Sequence, residues 1–104
     1  MAWVLLIVAG FFEVAWAYTM KLSNGFTDFK YSFLTVFIAM LGFMMLSVSM
    51  KTLPLGTAYT IWTGIGAVGA FVVGIVFLGE VASVQRITAA GLILTGLVML
   101  KIST

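Results

Sequence analysis

"MAWVLLIVAGFFEVAWAYTM", residues 1–20, decides how the rest of the chain is read. As a helix of about 20 residues it can cross roughly 30 Å of hydrocarbon, and it holds one charged side chain, Glu13. No basic n-region opens it and no small-residue cleavage site before a polar chain closes it, so it reads as a first spanning helix, not a removed signal peptide. A rise of about 1.5 Å per residue puts Glu13 roughly 18 Å along that helix, near the bilayer midplane.

The composition carries that reading through the whole chain. Of 104 residues 63% are hydrophobic and 8% charged, against about 25% charged in a soluble domain. With no cysteine and no histidine, disulfides, thiolate metal sites and the commonest metal ligand are all missing, so no metal is expected. The net charge of +2 is too small and scattered for a nucleic-acid footprint. No nucleophile–base constellation, phosphate loop or cofactor motif is visible, which argues against an enzyme and against a cofactor.

Polar clusters divide the rest. "KLSNGFTDFK" (21–30) carries Lys21, Asp28 and Lys30 around an Asn24-Gly25 helix stop, and "KTLPLG" (51–56) is a short connection. Residues 31–50 and 57–78 are uncharged and long enough to span. Glu80 and Arg86 leave only "ITAAGLILTGLVML" (87–100) uncharged before Lys101. Arg86 and Lys101 can snorkel from its two ends and lengthen the effective span. Four transmembrane helices are therefore expected, at about 2–20, 31–50, 57–78 and 84–101, in one all-α domain over residues 1–104. If they alternate in direction, Lys21, Lys30 and Arg86 fall on one side, and Lys51, Lys101 and the amino terminus on the other. That is almost no positive-inside bias. Insertion in both orientations would permit an antiparallel homodimer, an inverted symmetry that larger transporters build into one chain. A single orientation despite the weak signal is the alternative.

An acid at the midplane costs several kcal/mol unless it is protonated, paired or facing a hydrated cavity, and no basic residue lies within a span to pair with it. Leu6, Ala9, Gly10, Glu13, Trp16, Ala17 and Met20 share its helix face. Small residues leave room there, and Trp16 can offer an indole face to a cation, worth roughly 0.5–2 kcal/mol. A permanently protonated acid serving as interhelical glue, with Trp16 as ordinary packing, is the plainer reading.

In the third span, "GTAYTIWTGIGAVGA" (56–70) puts Tyr59, Trp62, Thr63, Gly66 and Ala70 on one face. Gly66, Ala70 and Gly74 form a small-xxx-small series for close helix packing, and Gly64 with Gly66 can bend the helix. Packing accounts for these glycines as well as hinge motion does.

These residues carry a resemblance. Glu13 within "GFFEVAWA", the loop "KLSNGFT" and "LPLGTAYTIWTGIGAVGA", in that order, resemble the small multidrug resistance family of transporters across essentially the whole chain. Gly10, Trp16 and the run Trp62-Thr63-Gly64-Ile65-Gly66 resemble its guanidinium-exporter subtype more than its quaternary-ammonium exporters. The resemblance implies an antiparallel, dual-topology homodimer in the bacterial inner membrane that exchanges protons for a small organic cation. It implies Glu13 as the shared proton and substrate site, with Trp16, Tyr59 and Trp62 around it. Gly10, Gly42, Thr60 and Thr63 are expected to line the cavity. Two positions depart from the subtype: Gly42 where a serine is usual, and Thr60 where an alanine is usual. The lost hydroxyl, with Met40, Met44, Met45 and Met50 on the second helix, points to a roomier, more pliable site that tolerates hydrophobic cations. A quaternary-ammonium exporter, a passive cation channel and an accessory membrane subunit remain as alternatives.

Overall fold

A computed structural model describes residues 1–103. Four helices follow in order: α1 (Ala2–Leu22), α2 (Phe29–Ser49), α3 (Leu55–Leu78) and α4 (Val84–Ser103). All four are long and apolar enough to cross a membrane. Local chemistry sets their ends. After α1, Asn24, Gly25 and Phe26 all adopt positive φ of 52°, 73° and 65°, a reversal that glycine tolerates and asparagine favours. The buried Ser23 fixes this turn, its hydroxyl donating to the Met20 carbonyl (2.6 Å) and accepting from the Phe26 N–H (3.0 Å). Asp28 then caps α2 by accepting from the Tyr31 N–H at 3.3 Å, so α2 begins ahead of the uncharged run and includes Lys30. Pro54 precedes α3 in extended geometry, where its fixed φ suits a helix start. Gly79 ends α3 in the left-handed conformation at φ 70°.

Contacts between helices establish their directions. On α1 and α3 the partners ascend together: Ile65 sits against Gly10, Glu13 against Gly66, and Val14 against Gly69. These two helices therefore run parallel. Between α1 and α2 the partners run in opposite order, Phe12 meeting Gly42 and Thr19 meeting Thr35. Between α3 and α4, Leu97 seats on Gly64 while Arg86 lies over Phe71. The bundle is up-down-up-down, so Lys21, Lys30 and Arg86 share one end and Lys51 and Lys101 the other.

The core is small: Leu6, Ala9, Leu46, Ala58, Ile61, Trp62 and Leu97. Large apolar side chains such as Phe11, Phe33, Phe37 and Val76 point outward, as lipid-facing residues do when the solvent is itself apolar. The α4 backbone lies near α3 alone, and Leu97 is its one buried residue among those described. Its far end is tied to α1 by Lys101, whose Nζ lies 4.8 Å from the Trp3 ring centroid, a cation–π contact. The bundle measures 41 × 35 × 16 Å. It is a slab, too thin in one direction to enclose a wide cavity.

Because Gly10 is where Ile65 rests, a side chain there must push α1 off α3. A Cβ at Gly10 would stand 2.6 Å from Ile65 Cγ2. Gly10→Val is expected to destabilise the bundle by about 1–3 kcal/mol, read as a lower denaturation midpoint by helical circular dichroism in micelles. Val4→Ile, on an exposed position of the same helix, should leave that midpoint in place.

Candidate functional site

Glu13 sits in the middle of α1, and its side chain reaches across to α3. Its carboxyl lies on the Cα of Gly66, in the space that any Cβ would take. The glycine thus serves as a seat for the acid as well as a packing position. Glu13 is half-buried, and its Oε1 is shut away without a hydrogen-bond partner. An orphaned acceptor in a low-dielectric setting costs free energy on the order of 1–3 kcal/mol. Such an atom is suited to receive a proton, or a cation that brings its own N–H donors.

Aromatic side chains from three helices stand beside this seat. Trp16 is one turn beyond Glu13 on α1, and Trp62 one turn before Gly66 on α3. Phe43 of α2 lies between the two indoles, its ring centroid 6.2 Å from Trp16 and 5.8 Å from Trp62, both pairs tilted. Tyr59 extends the row at 5.6 Å from Trp62. These distances and tilts are those of favourable edge-to-face contacts. Trp62 is 7% exposed and built into the core, whereas Phe43 and Tyr59 are 47% and 53% exposed. The indole Nε1 atoms of Trp16 and Trp62 are buried without hydrogen-bond partners. Two unspent N–H donors and one unspent acceptor therefore occupy the same stretch of the bundle.

A hydroxyl pair holds the Trp16 end of α1 to α2. The Thr19 hydroxyl donates to the Trp16 carbonyl (3.0 Å). Thr35 is 2% exposed, and its hydroxyl reaches both the Tyr31 carbonyl (2.7 Å) and Thr19 Oγ1 (2.8 Å).

The structure brings Glu13, Trp16, Trp62 and Tyr59 to one region and distributes the other expected residues elsewhere. Gly10 is buried under Ile65, and Gly42 is buried against α1, where a Cβ would come within 3.1 Å of Phe12 Cβ and 3.7 Å of the Ala9 carbonyl oxygen. The volume freed at Gly42 is taken up by the close approach of α1 and α2. Thr60 and Thr63 are exposed and, with Tyr59, line a groove of about 550 Å³ between α3 and α4. Gly64 receives Leu97, and Gly74 receives the Glu80 carboxyl. Ala70 is partly buried and lines a cavity between α1 and α3. Phe43 is the residue that sequence reasoning missed. It lies in a helix so rich in phenylalanine and methionine that no spacing sets it apart.

Four helices long and apolar enough to cross a membrane, with an acid in the middle of the first and an aromatic row from the first three beside it, define a multi-pass membrane protein, and an acid within a span is the kind of group transporters use. The sequence profile described as Small Multidrug Resistance protein matches residues 1–93. A guanidinium exporter of Citrobacter freundii is 49% identical over 104 residues, covering 100% of this chain and 99% of that protein. Guanidinium exporters of Yersinia pseudotuberculosis (48% over 104 residues, 100% of both chains) and Salmonella typhi (48% over 103 residues, 99% of this chain and 98% of that one) match similarly. This chain belongs to the small multidrug resistance family, a multi-pass protein of the bacterial inner membrane.

Since the acid rests where Gly66 has no Cβ, Gly66→Ala should expel it. Guanidinium affinity measured by calorimetry is expected to fall at least roughly tenfold, about 1.4 kcal/mol. Gly56→Ala, where a Cβ meets open space, should leave affinity unchanged.

Proposed function

We infer that the protein exports guanidinium or small guanidinyl cations in exchange for protons, working as an antiparallel homodimer. The observation that carries this reading is the Glu13 carboxyl, seated on Gly66 with a buried, unpartnered oxygen. Its relatives' names as guanidinium exporters support the choice of cation.

A guanidinium ion is planar and presents parallel N–H donors that can meet a carboxylate two at a time. Its faces suit the aromatic row of Trp16, Phe43, Trp62 and Tyr59. A proton satisfies the same oxygen atoms, so proton and cation compete for one negative charge. In a dimer two Glu13 side chains share the cavity and titrate as a coupled pair. If only loaded forms convert between inward-open and outward-open states, the inward proton gradient drives the cation out.

Three features support the antiparallel dimer. The 16 Å slab cannot by itself wrap a substrate. Its fourth helix, with Leu97 alone buried among the described residues, has a free apolar surface that a second copy would cover. The near-balance of Lys21, Lys30 and Arg86 against Lys51, Lys101 and the amino terminus favours insertion in both orientations.

A second reading, tolerance of larger hydrophobic cations, is favoured by the exposure of Phe43 in the aromatic row and of Met40 and Met44, which flank it along α2. These unbranched or two-torsion side chains can rearrange around an alkyl or aryl group.

Proteoliposomes carrying a pH gradient test the reading. Guanidinium is expected to drive proton flux through the wild type, and Glu13→Gln should abolish it; flux surviving that substitution, or cation movement that ignores the pH gradient, would reject it. Lowering the pH on both sides should weaken apparent guanidinium affinity, because protons then hold the carboxyls. Comparing guanidinium with tetraalkylammonium currents measures how far the second reading extends.

A further inference from the structure

Starting at Val14, beside the Glu13 seat, a cavity of about 330 Å³ runs between α1, α3 and the α3–α4 connection to Lys21, about two turns further along α1. Its inner wall is apolar, including Val14, Ala17 and Phe71, and its polar lining includes Tyr18, Lys21, Glu80 and Arg86. Arg86 and Phe71 also belong to an apolar trench of about 220 Å³ between α3 and α4, floored by Val68, Ala90 and Ile93. Arg86 and Phe71 thus border both spaces.

Two of these exposed charged groups are held in place. Glu80 follows the left-handed Gly79, its N–H donates to the Gly74 carbonyl (3.0 Å), and its carboxyl folds back onto Gly74, where a Cβ would collide with it. Arg86 lies over the Phe71 ring, 5.8 Å from the centroid, and donates from Nη1 to the Val81 carbonyl (3.1 Å). Among the described residues, no ion pair joins Lys21, Glu80 or Arg86. Two cations and one carboxylate thus share a rim with their charges unspent. Lys21 is next to the last residue of α1, Glu80 follows α3 and Arg86 is in the first turn of α4, so the rim lies at the level of lipid headgroups.

We propose that this rim binds the headgroup of a phosphatidylethanolamine lipid. The phosphate lies between Lys21 and Arg86, the primary ammonium donates to Glu80, and one acyl chain follows the α3–α4 trench. Charge-assisted N–H to oxygen contacts then satisfy all three side chains. Phosphatidylglycerol would set its phosphate beside Glu80 and offer that carboxylate neutral hydroxyl donors but no cation. A phosphatidylcholine would offer Glu80 a trimethylammonium with no N–H. The binding site is independent of the transport reading, since none of its charged groups touches Glu13.

The test uses the purified full-length protein, incubated with equal amounts of phosphatidylethanolamine, phosphatidylcholine and phosphatidylglycerol of matched chains, with retained lipid counted by native mass spectrometry. Phosphatidylethanolamine should be retained several-fold over the other two. Glu80→Gln should erase its advantage over phosphatidylcholine, and Arg86→Gln should lower retention of all three. Equal retention by the wild type, preference for phosphatidylglycerol, or an ethanolamine preference that survives Glu80→Gln overturns the proposal. A second arm needs no variant: retention by the wild type should fall stepwise across the mono-, di- and trimethylated headgroups, and a flat series contradicts it.

Discussion

A carboxyl group can lie on the backbone of a neighbouring helix only where that helix offers no side chain, and the account of this protein depends on that constraint at Glu13 and Gly66. The contact takes the acid off the surface of α1 and shuts one oxygen away from every hydrogen-bond partner. It belongs to a series in which α1 and α3 exchange large groups for glycines: Ile65 on Gly10, Glu13 on Gly66, Val14 on Gly69. In a bilayer, where lipid tails compete on equal terms with apolar side chains, such close backbone approaches are a main source of helix cohesion. The packing that holds α1 to α3 and the placement of the acid are the same set of contacts, so one cannot be altered without the other.

The remaining architecture serves that contact at a distance. Phe43 bridges the two indoles from α2, and Thr35 reaches the hydroxyl that is bonded to the Trp16 carbonyl. The second helix therefore holds the aromatic row to α1 from one side while Gly42 lets it come close. The fourth helix does the opposite. Anchored by Leu97 on Gly64 and by Lys101 on the Trp3 ring, it leaves most of its surface uncommitted.

Much of this was legible in the residues. Uncharged runs of spanning length gave four membrane helices, because hydrocarbon admits few other structures, and a lone acid in the middle of the first run marked the candidate site. The order of Glu13, "KLSNGFT" and "TAYTIWTGIG" pointed to the family that the sequence profile bears out. What could not be read was which small residue serves which neighbour. Gly66 and Gly74 stand in one regular series, yet each receives a carboxyl. Gly10 and Gly42 were expected beside a cavity and instead admit Ile65 and the α1 backbone. Thr60 and Thr63 face the α3–α4 groove. Periodicity assigns a residue to a helix face, but only the rotation and register of the partner helix decide what lies opposite. Phe43 was hidden for the same reason, among many similar apolar neighbours.

The central claim is that one carboxyl position holds either a proton or a cation. Calorimetric titration of the purified protein with guanidinium, repeated in buffers of different ionisation enthalpy, tests it most directly. The account predicts binding heats that vary with the buffer, reporting protons released as cation binds, with the release vanishing in Glu13→Gln. Guanidinium binding whose heat is the same in every buffer across the pH range would contradict it.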